Sequence, residues 1–365
     1  MKIRSVTTRV VEIPFESRGK EATITPTTWH TLETVLVRVE DTDGNVGWGE
    51  AFGYFVADAT LAVIERLVKP LLEGTSVESI EEWNRRTQQQ LHLFGRYGIT
   101  MFAISGVDMA LWDLKAKRDK LPLYRLLGNG NRTALSMYAS LVRYGDTDIA
   151  PRVCRQALDE GYRNIKLHEA DMACVEACHR SVDGRALISI DVNCGWDAAA
   201  TRRHVERLKQ MGGIEWVEEP VFPPEDFALL ASLRTPEVPL AAGENWCTAV
   251  QFQHAMDAGA VDYVQPSVSK VGGVTEFVAI AEAARRRRIG VLPHSPYFGP
   301  GFLVTMHLAA AFPDTMQLEY LYVDPAAQLI DLSPIRTGPD VRLSDAPGIG
   351  LEPDEAVISR FVRAR

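Results

Sequence analysis

The sequence predicts an α/β protein in which a (β/α)8 barrel of the TIM type follows an amino-terminal α+β domain. Eight short apolar segments, 22 to 28 residues apart, alternate with amphipathic helical stretches between residues 136 and 317. Before residue 130 the pattern differs, because strands come first and helices follow. A doubly wound sheet would place a glycine-rich phosphate loop after its first strand, and the segment YASLVRYGD contains none. These observations favour a barrel over an open sheet.

Residues 1–130 are predicted to form the α+β domain. Alternation of apolar and polar residues indicates strands, and Asp43-Gly44-Asn45 has the composition of a hairpin turn before the segment VGWGEA. Residues 14–32 are polar without a period, which predicts a long loop, and Trp29 and His30 within it are candidate substrate-binding residues. The predicted strands cover 3–13 and 33–40, and the predicted helices cover 57–73, 78–91 and 97–119.

Residues 131–320 are predicted to form the barrel. Each apolar segment is short enough to be a buried parallel strand and precedes a helical stretch. Residues 321–365 are rich in proline and aspartate, with few periodic positions, and are predicted to return to the first domain. The eight barrel strands are predicted to begin near Ser136, Asn164, Ile188, Ile214, Leu240, Asp262, Gly290 and Gln317.

Composition and charge narrow the classes of partner. The chain has 365 residues, 46% hydrophobic and 24% charged, which is ordinary for a globular protein with a large core. Its formal net charge of −9 disfavours nucleic acid and anionic membrane surfaces as partners. No segment reaches the roughly 18 apolar residues of a membrane span, and the amino terminus lacks the apolar core of a secretory signal. Free thiols in a cytoplasmic enzyme are expected, because no CxxC pair occurs among Cys154, Cys174, Cys178, Cys194 and Cys247.

Acidic residues follow three consecutive barrel strands. Asp191 ends the third, Glu218 ends the fourth, and Glu244 follows the fifth. Since the carboxyl ends of barrel strands meet at one face, these carboxylates are expected to converge, and their combined charge requires a cation. Oxygen ligands without a thiol or imidazole favour Mg²⁺, one ion per subunit. Glu219 must point away from the axis if Glu218 points toward it.

Two histidines flank the predicted metal site. Lys166 and His168 are two residues apart, so they share one face of the second strand, and His294 follows the seventh strand on the other side. Imidazoles on opposite sides of a bound substrate can serve as an acid/base pair near neutral pH. These three residues are candidate catalytic residues.

Eight motifs occur in order along the chain: VGWGEA, IKLH, IDVN, WVEEP, AGENW, SKVGG, PHS and QLEYL. As a set they resemble the enolase superfamily, and within it the mandelate racemase subgroup, over nearly the whole chain. The resemblance implies an enolase-like modified barrel with a capping domain. It also implies a base that removes the proton α to a carboxylate while Mg²⁺ stabilises the enediolate. The implied substrate is a small carboxylate, a sugar acid, and the implied assembly is a homo-oligomer.

The resemblance also implies roles by position. The three strand-end acids match the Mg²⁺ ligands, and Glu319 matches the acid that hydrogen-bonds the substrate carboxylate. His294 matches the subgroup's histidine, and His168 stands at the second position of the KxK motif, beside Lys166. The expected substrate-binding residues are Ser140, Asn193 and Lys270, together with Trp29 and His30.

Two positions depart from the family pattern. KxH replaces KxK, so the expected base is a histidine, His168. Ser267 stands where the subgroup has an aspartate bonded to the histidine of the seventh strand, and where muconate-type enzymes have a lysine. Without that carboxylate, His294 is expected to be less basic and its tautomer less firmly fixed, which favours proton donation.

One leading hypothesis and two alternatives follow. An acid-sugar dehydratase would use His168 to remove the α-proton and His294 to protonate the leaving β-hydroxyl. A racemase or epimerase is the first alternative, because one base on each face of the α-carbon is also what 1,1-proton transfer requires. A degenerate barrel that binds a sugar acid without turnover is the second, and only Ser267 favours it.

Overall fold

The computed structural model describes residues 1–19, 22–23, 28–128, 130, 132–312, 314 and 317–363. Strands precede helices in the amino-terminal part, as predicted. The strands are β1 (Ile3–Glu16), β2 (Ala22–Thr23), β3 (Thr28–Trp29), β4 (Thr31–Asp41) and β5 (Val46–Phe52). The helices are α1 (Ala57–Val63), continued by π and 3-10 turns to Leu71, then α2 (Ile80–Gln90), α3 (Ile99–Arg118) and α4 (Leu123–Leu127).

The predicted hairpin joins β4 to β5 in an antiparallel sheet with β1. Gly44 in its turn has φ +86°, a backbone angle that glycine adopts without strain. The Asp41 carboxylate accepts hydrogen bonds of 2.9 Å from the N–H groups of Asp43 and Asn45. The turn is therefore fixed by its own side chain, and the hairpin prediction is confirmed.

Helix α3 lies directly on this sheet, because β5 has glycines where the helix approaches. A Cβ atom at Gly49 would lie 2.0 Å from the carbonyl oxygen of Gly106, and one at Gly47 would lie 2.0 Å from that of Ala110. Only glycine fits at these two positions. The close packing fixes β5, which leads into the loop that covers the barrel mouth.

The predicted loop over residues 14–32 is partly wrong. Strand β1 continues to Glu16, and β2 pairs with β3. Phe15 is buried and its N–H donates to the carbonyl oxygen of His30 at 3.1 Å, so the alternation of β1 continues past Pro14. Residues 20, 21 and 24–27 of the predicted loop lie outside the described residues.

The described chain then forms eight short parallel strands, each starting within two residues of its predicted start. Consecutive strands pair from the first to the seventh, and the eighth pairs with the first. This order is that of a barrel, so the (β/α)8 prediction is confirmed. The strands are β6 (Ala134–Ser140), β7 (Asn164–Leu167), β8 (Leu187–Asp191), β9 (Ile214–Glu218), β10 (Leu240–Ala242), β11 (Tyr263–Val264), β12 (Gly290–Val291) and β13 (Leu318–Leu321).

Helices connect the barrel strands. The last of them, Pro300–Ala311, is buried at every position, because it packs against both β5 and β6. Among the described residues, no helix is both long and apolar enough to cross a membrane. The helices are α5 (Ile149–Asp159), α6 (Met172–Val182), α7 (Ala198–Met211), α8 (Phe227–Leu233), α9 (Thr248–Asp257), α10 (Gly273–Arg287) and α11 (Pro300–Ala311).

Buried carboxylates join the amino-terminal part to the barrel. Glu50 in β5 accepts a 2.9 Å hydrogen bond from the N–H of Gly301, in the first turn of α11. Asp108 in α3 accepts hydrogen bonds from the N–H and the hydroxyl of Thr275, near the start of α10, at 3.1 and 2.6 Å. Burial raises the pKa of Glu50 and the pKa of Asp108 to about 7. These contacts hold the amino-terminal part over the barrel mouth.

The carboxyl-terminal segment contacts both parts of the molecule. Strand β14 (Asp324–Pro325) pairs with β1, and the last helix, α12 (Glu355–Phe361), packs against the same strand. Between them, β15 (Arg336–Thr337) pairs with β16 (Asp340–Arg342), which pairs with β6. The division of the chain at residues 130 and 320 stays a prediction, because pairing shows contacts and not independently folding units.

Candidate active site

A cavity of about 350 Å³ lies between the barrel mouth and the amino-terminal part. Its lining has two chemically distinct groups, which we call the polar wall and the apolar wall. The polar wall comprises Ser140, Arg143, His168, Asn193, Glu244, Lys270, His294 and Glu319, and the apolar wall comprises Trp29, Phe52, Tyr54, Phe55, Val56, Val142, Pro296 and Leu321.

Asp191, Glu218 and Glu244 form an acidic triad at this end of the barrel. Among the described residues they are the one group of acidic, histidine and cysteine side chains close enough to hold a metal, with one oxygen of each within 4.8 Å of the others. Burial, reinforced by Asp191, raises the pKa of Glu218 well above its ordinary value. Asp191 Oδ2 is buried and makes no hydrogen bond. Three oxygen donors with such an orphaned atom have the chemistry of a Mg²⁺ site.

Lys166 is a positive charge inside this acidic cluster. Its side chain is fully buried, and Nζ lies 2.8 Å from Glu319 Oε1 and 3.1 Å from Glu218 Oε1. Asp191 Oδ2 is 3.5 Å away. Burial disfavours the charge, but Glu218 and Glu319 outweigh burial and raise the pKa of Lys166 well above its ordinary value. Lys166 therefore stays protonated and is suited to stabilise negative charge.

His168 and His294 reach the triad from opposite flanks, at the ends of β7 and β12. His168 Nε2 lies 3.3 Å from Asp191 Oδ2, and its Nδ1 is hydrogen-bonded to the carbonyl oxygen of Leu141. His294 Nε2 lies 2.8 Å from Glu244 Oε2, whereas its buried Nδ1 has no hydrogen-bond partner in the described structure. Because carbonyl and carboxylate oxygens only accept, the hydrogen bonds place protons on Nδ1 of His168 and Nε2 of His294.

Glu319 in β13 is fixed by three donors. Ser140 Oγ donates to Oε1 at 2.7 Å, Lys166 Nζ donates to the same oxygen at 2.8 Å, and the N–H of Ser295 donates to Oε2 at 3.0 Å. Burial opposes ionisation, but Lys166 outweighs it and lowers the pKa of Glu319. The carboxylate is therefore held beside Lys166 at the cavity.

Ser267 and Tyr297 lie behind His294. Their hydroxyl groups are hydrogen-bonded to each other, and the Tyr297 ring contacts the imidazole edge-on, with ring centres 6.1 Å apart. In the described structure, the buried Nδ1 of His294 lacks the carboxylate partner that the family pattern would supply. The lower basicity expected for His294 stays a prediction.

Of the four remaining predicted substrate-binding residues, three line the cavity and one does not. Asn193, Lys270 and Trp29 line the cavity. His30 is exposed and lies outside the described lining, so its predicted role is not supported. Neighbouring residues of an extended chain point to opposite sides, and Trp29 takes the inward one.

Arg143 is the polar cavity residue that the sequence reasoning missed. Its Nε donates to the carbonyl oxygen of His168 at 2.7 Å, and its Nη2 donates to Asn193 Oδ1 at 2.9 Å. The available signal was its position three residues after Ser140, because loops after barrel strands surround the mouth. Val142, Phe55, Val56, Pro296 and Leu321 were also missed, since nothing local distinguishes a cavity-lining apolar residue from a core residue.

Comparison with known proteins places this geometry in a family. Residues 5–128 match the mandelate racemase / muconate lactonizing enzyme N-terminal domain, and residues 150–357 match the enolase C-terminal domain-like family. The arabinonate dehydratase of Saccharolobus solfataricus is 32% identical over 294 residues, which cover 77% of this chain and 78% of the relative. The D-galactarolactone cycloisomerase of Agrobacterium fabrum is 29% identical over 391 aligned positions, covering 99% of each chain.

A solved structure extends the similarity to three dimensions. The racemase from Streptomyces coelicolor A3(2) with bound magnesium has a TM-score of 0.86 and 27% identity, covering 99% of this chain and 100% of that one. The matches span both parts of the chain, and these relatives are enzymes. The protein therefore belongs to the mandelate racemase/muconate lactonizing enzyme family of the enolase superfamily.

Proposed function

We propose that the protein is a Mg²⁺-dependent acid-sugar dehydratase that removes the proton α to a carboxylate and then eliminates the β-hydroxyl as water. The observation that carries the proposal is the different hydrogen bonding of two imidazoles at one cavity. His168 donates from Nδ1 to Leu141, so its neutral ring would present a lone pair at Nε2, whereas His294 directs Nε2–H at Glu244; we therefore assign His168 as the base and His294 as the acid. The similarity to an arabinonate dehydratase supports the same reaction class.

The acidic triad would hold Mg²⁺, which when bound supplies a Lewis acid that stabilises negative charge on the substrate carboxylate. Lys166 stays protonated and would pair with the same carboxylate. Glu319, fixed by Ser140 and Ser295, stays ionised and would hold the Lys166 ammonium group beside that carboxylate. These groups place the α-carbon between the two histidines.

His168 is the proposed base. Because Leu141 takes up the Nδ1–H, the neutral ring keeps its lone pair on Nε2. Asp191 Oδ2 lies 3.3 Å from that nitrogen and would stabilise the imidazolium formed when the α-proton is transferred. A positioned base of this kind contributes about 10² to 10⁴ in rate.

His294 is the proposed acid. Its Nε2–H is directed at Glu244 Oε2 in the cavity, where the leaving hydroxyl of a bound acid would also lie. The donor would be the imidazolium form, in which Nε2 gives its proton to the leaving hydroxyl, the C–O bond breaks to release water, and the ring becomes neutral. No described residue accepts a hydrogen bond from Nδ1, so the imidazolium has no partner at that atom.

A racemase or epimerase is the second candidate, favoured by the approach of the two imidazoles from opposite flanks of the triad. In that reaction His294 Nε2 would have to exchange its proton with the opposite face of the α-carbon. The product separates the two reactions. A 2-keto-3-deoxy acid indicates elimination, whereas an epimer of unchanged mass indicates 1,1-proton transfer.

The test is an assay of Mg²⁺-loaded protein in deuterated water with a panel of aldonic and aldaric acids, scored for keto-acid formation and for deuterium at the α-carbon. His294→Asn is expected to lose dehydration and keep α-proton exchange, and His168→Asn is expected to lose both. His92→Asn, at an exposed position, is the matched control and should retain both.

Exchange that is lost in His294→Asn but kept in His168→Asn would reverse the two roles. If the wild-type protein exchanges the α-proton of no acid in the panel although Mg²⁺ is bound, the dehydratase proposal is wrong and the degenerate barrel is favoured.

A further inference from the structure

We propose that the site selects acids whose end remote from the carboxylate is apolar, with a methyl group in place of a hydroxymethyl group or a second carboxylate. The proposal rests on the proposed function in taking the carboxylate to lie at the acidic triad. It concerns the other end of the substrate, which the reaction itself does not touch.

The cavity is strongly divided in polarity. Of the eight polar-wall residues, Glu244 belongs to the acidic triad, and four others are engaged with the triad or with each other: Ser140, His168, His294 and Glu319. In the amino-terminal part, the lining residues that the structure describes are all aromatic or aliphatic, as the apolar wall shows. Where the structure describes the lining, a molecule anchored at the triad therefore meets carbon surface at its far end.

The two polar atoms of this aromatic surface are already occupied. Trp29 Nε1 donates to the carbonyl oxygen of Thr31 at 2.8 Å. The hydroxyl of Tyr54 donates to the carbonyl oxygen of Pro296. Neither donor is left for a substrate hydroxyl, so beside their ring faces and edges these two side chains offer only the Tyr54 oxygen as an acceptor.

Polar capacity remains only near the reacting end of the described cavity. Arg143 is held by the carbonyl oxygen of His168 and by Asn193 Oδ1, so its guanidinium lies beside the proposed base. Lys270 Nζ lies 5.1 Å from the centre of the Phe52 ring, and its ammonium group also interacts electrostatically with Glu244 of the triad. Hydroxyl groups close to the carboxylate find partners here, whereas among the described side chains of the amino-terminal part a hydroxyl at the far end finds only the Tyr54 oxygen as an acceptor.

The expected preference for a methyl end follows from the cost of desolvating a hydroxyl group. A hydroxyl group buried without a partner loses its hydrogen bonds to water, and an apolar pocket discriminates against an added hydroxyl by up to about 10²-fold. A second carboxylate loses more, because an ionised group is far costlier to desolvate. We therefore expect a methyl end to be preferred over a hydroxymethyl end by about 10- to 100-fold.

The experiment uses pairs of acids that differ only at the terminal carbon. The first pair is L-rhamnonate and L-mannonate, and the second is L-fuconate and L-galactonate. Within each pair the stereochemistry is the same, and a methyl group in the first acid is a hydroxymethyl group in the second. Mg²⁺-loaded protein is scored for α-proton exchange in deuterated water and, for every acid, for binding by titration calorimetry. Because neither readout requires loss of water, the preference is measured even where the dehydratase proposal fails.

At least one pair is expected to favour the methyl member about tenfold or more in kcat/KM for exchange or in Kd. Equal values, or a preference for the hydroxymethyl member, would overturn the proposal. Binding of neither member of either pair would also overturn it.

Two nearly isosteric variants test the wall itself. Val56→Thr and Val142→Thr each replace a lining methyl group with a hydroxyl group, and each is expected to reduce the preference severalfold. Val250→Thr, 47% exposed and outside the described lining, is the matched control. Circular dichroism verifies folding of all three variants. An unchanged preference in both folded wall variants would contradict the assignment.

Discussion

Glu50→Gln is expected to flatten the pH dependence of stability. Glu50 is 2% exposed, and burial raises the pKa of its carboxyl group from the ordinary 4.5 to about 7. Between these two values the folded protein binds more protons than the unfolded chain, so stability falls as the pH rises through this range. At 1.36 kcal/mol per pKa unit, the difference of about 2.5 corresponds to about 3.4 kcal/mol. Above about pH 7 the Glu50 carboxyl group is ionised in both the folded and the unfolded protein, so it no longer makes stability depend on pH.

The substitution removes the titrating proton and keeps an oxygen that can accept from the N–H of Gly301. Urea unfolding of both proteins, followed by tryptophan fluorescence from pH 4.5 to 8, gives the difference in free energy of unfolding. The variant is expected to gain about 3 kcal/mol relative to wild type across this range. Glu282→Gln, whose side chain is 57% exposed, should give a constant difference. A constant difference for Glu50→Gln would refute the reasoning.

Packing, metal binding and the cover of the cavity each give a further prediction. Gly49→Ala places a Cβ atom 2.0 Å from the carbonyl oxygen of Gly106, and should lower the free energy of unfolding by about 1 to 3 kcal/mol in urea titrations; an unchanged midpoint would contradict this. Glu244→Gln should weaken Mg²⁺ binding in calorimetry and abolish α-proton exchange, as excess EDTA should for wild type; retention of wild-type affinity would argue against the triad. Tyr54→Phe removes the hydrogen bond to Pro296, two residues after His294, and should lower kcat/KM by about 2- to 10-fold; no change would show that this contact does not position the loop.

The barrel was predictable because its strands are short apolar segments at one period, and each lies within two residues of its predicted start. The segment after Pro14 was not, because Phe15 is placed in β1 by burial and by pairing with His30, neither of which is a local property. Strand pairing between distant segments decides such cases.

The strand-end acids were predictable for the same reason, since the barrel geometry alone brings Asp191, Glu218 and Glu244 to one face. The partners of the histidines were not. The contact of His168 with Leu141 joins two different loops, and Tyr297 beside Ser267 fills a space that sequence spacing does not reveal. Arg143 was missed because its direction depends on the fold of its loop.

The proton-transferring groups and much of the apolar wall come from different stretches of the chain. His168 and His294 project from the barrel, whereas Trp29, Tyr54 and Val56 come from the first 60 residues. Chimaeras that exchange the amino-terminal stretch between relatives should therefore alter which acid is accepted while leaving the chemistry intact. Such a chimaera will fold correctly only if its residue at position 50 can still make the hydrogen bond to the first turn of α11, because that contact joins the two stretches.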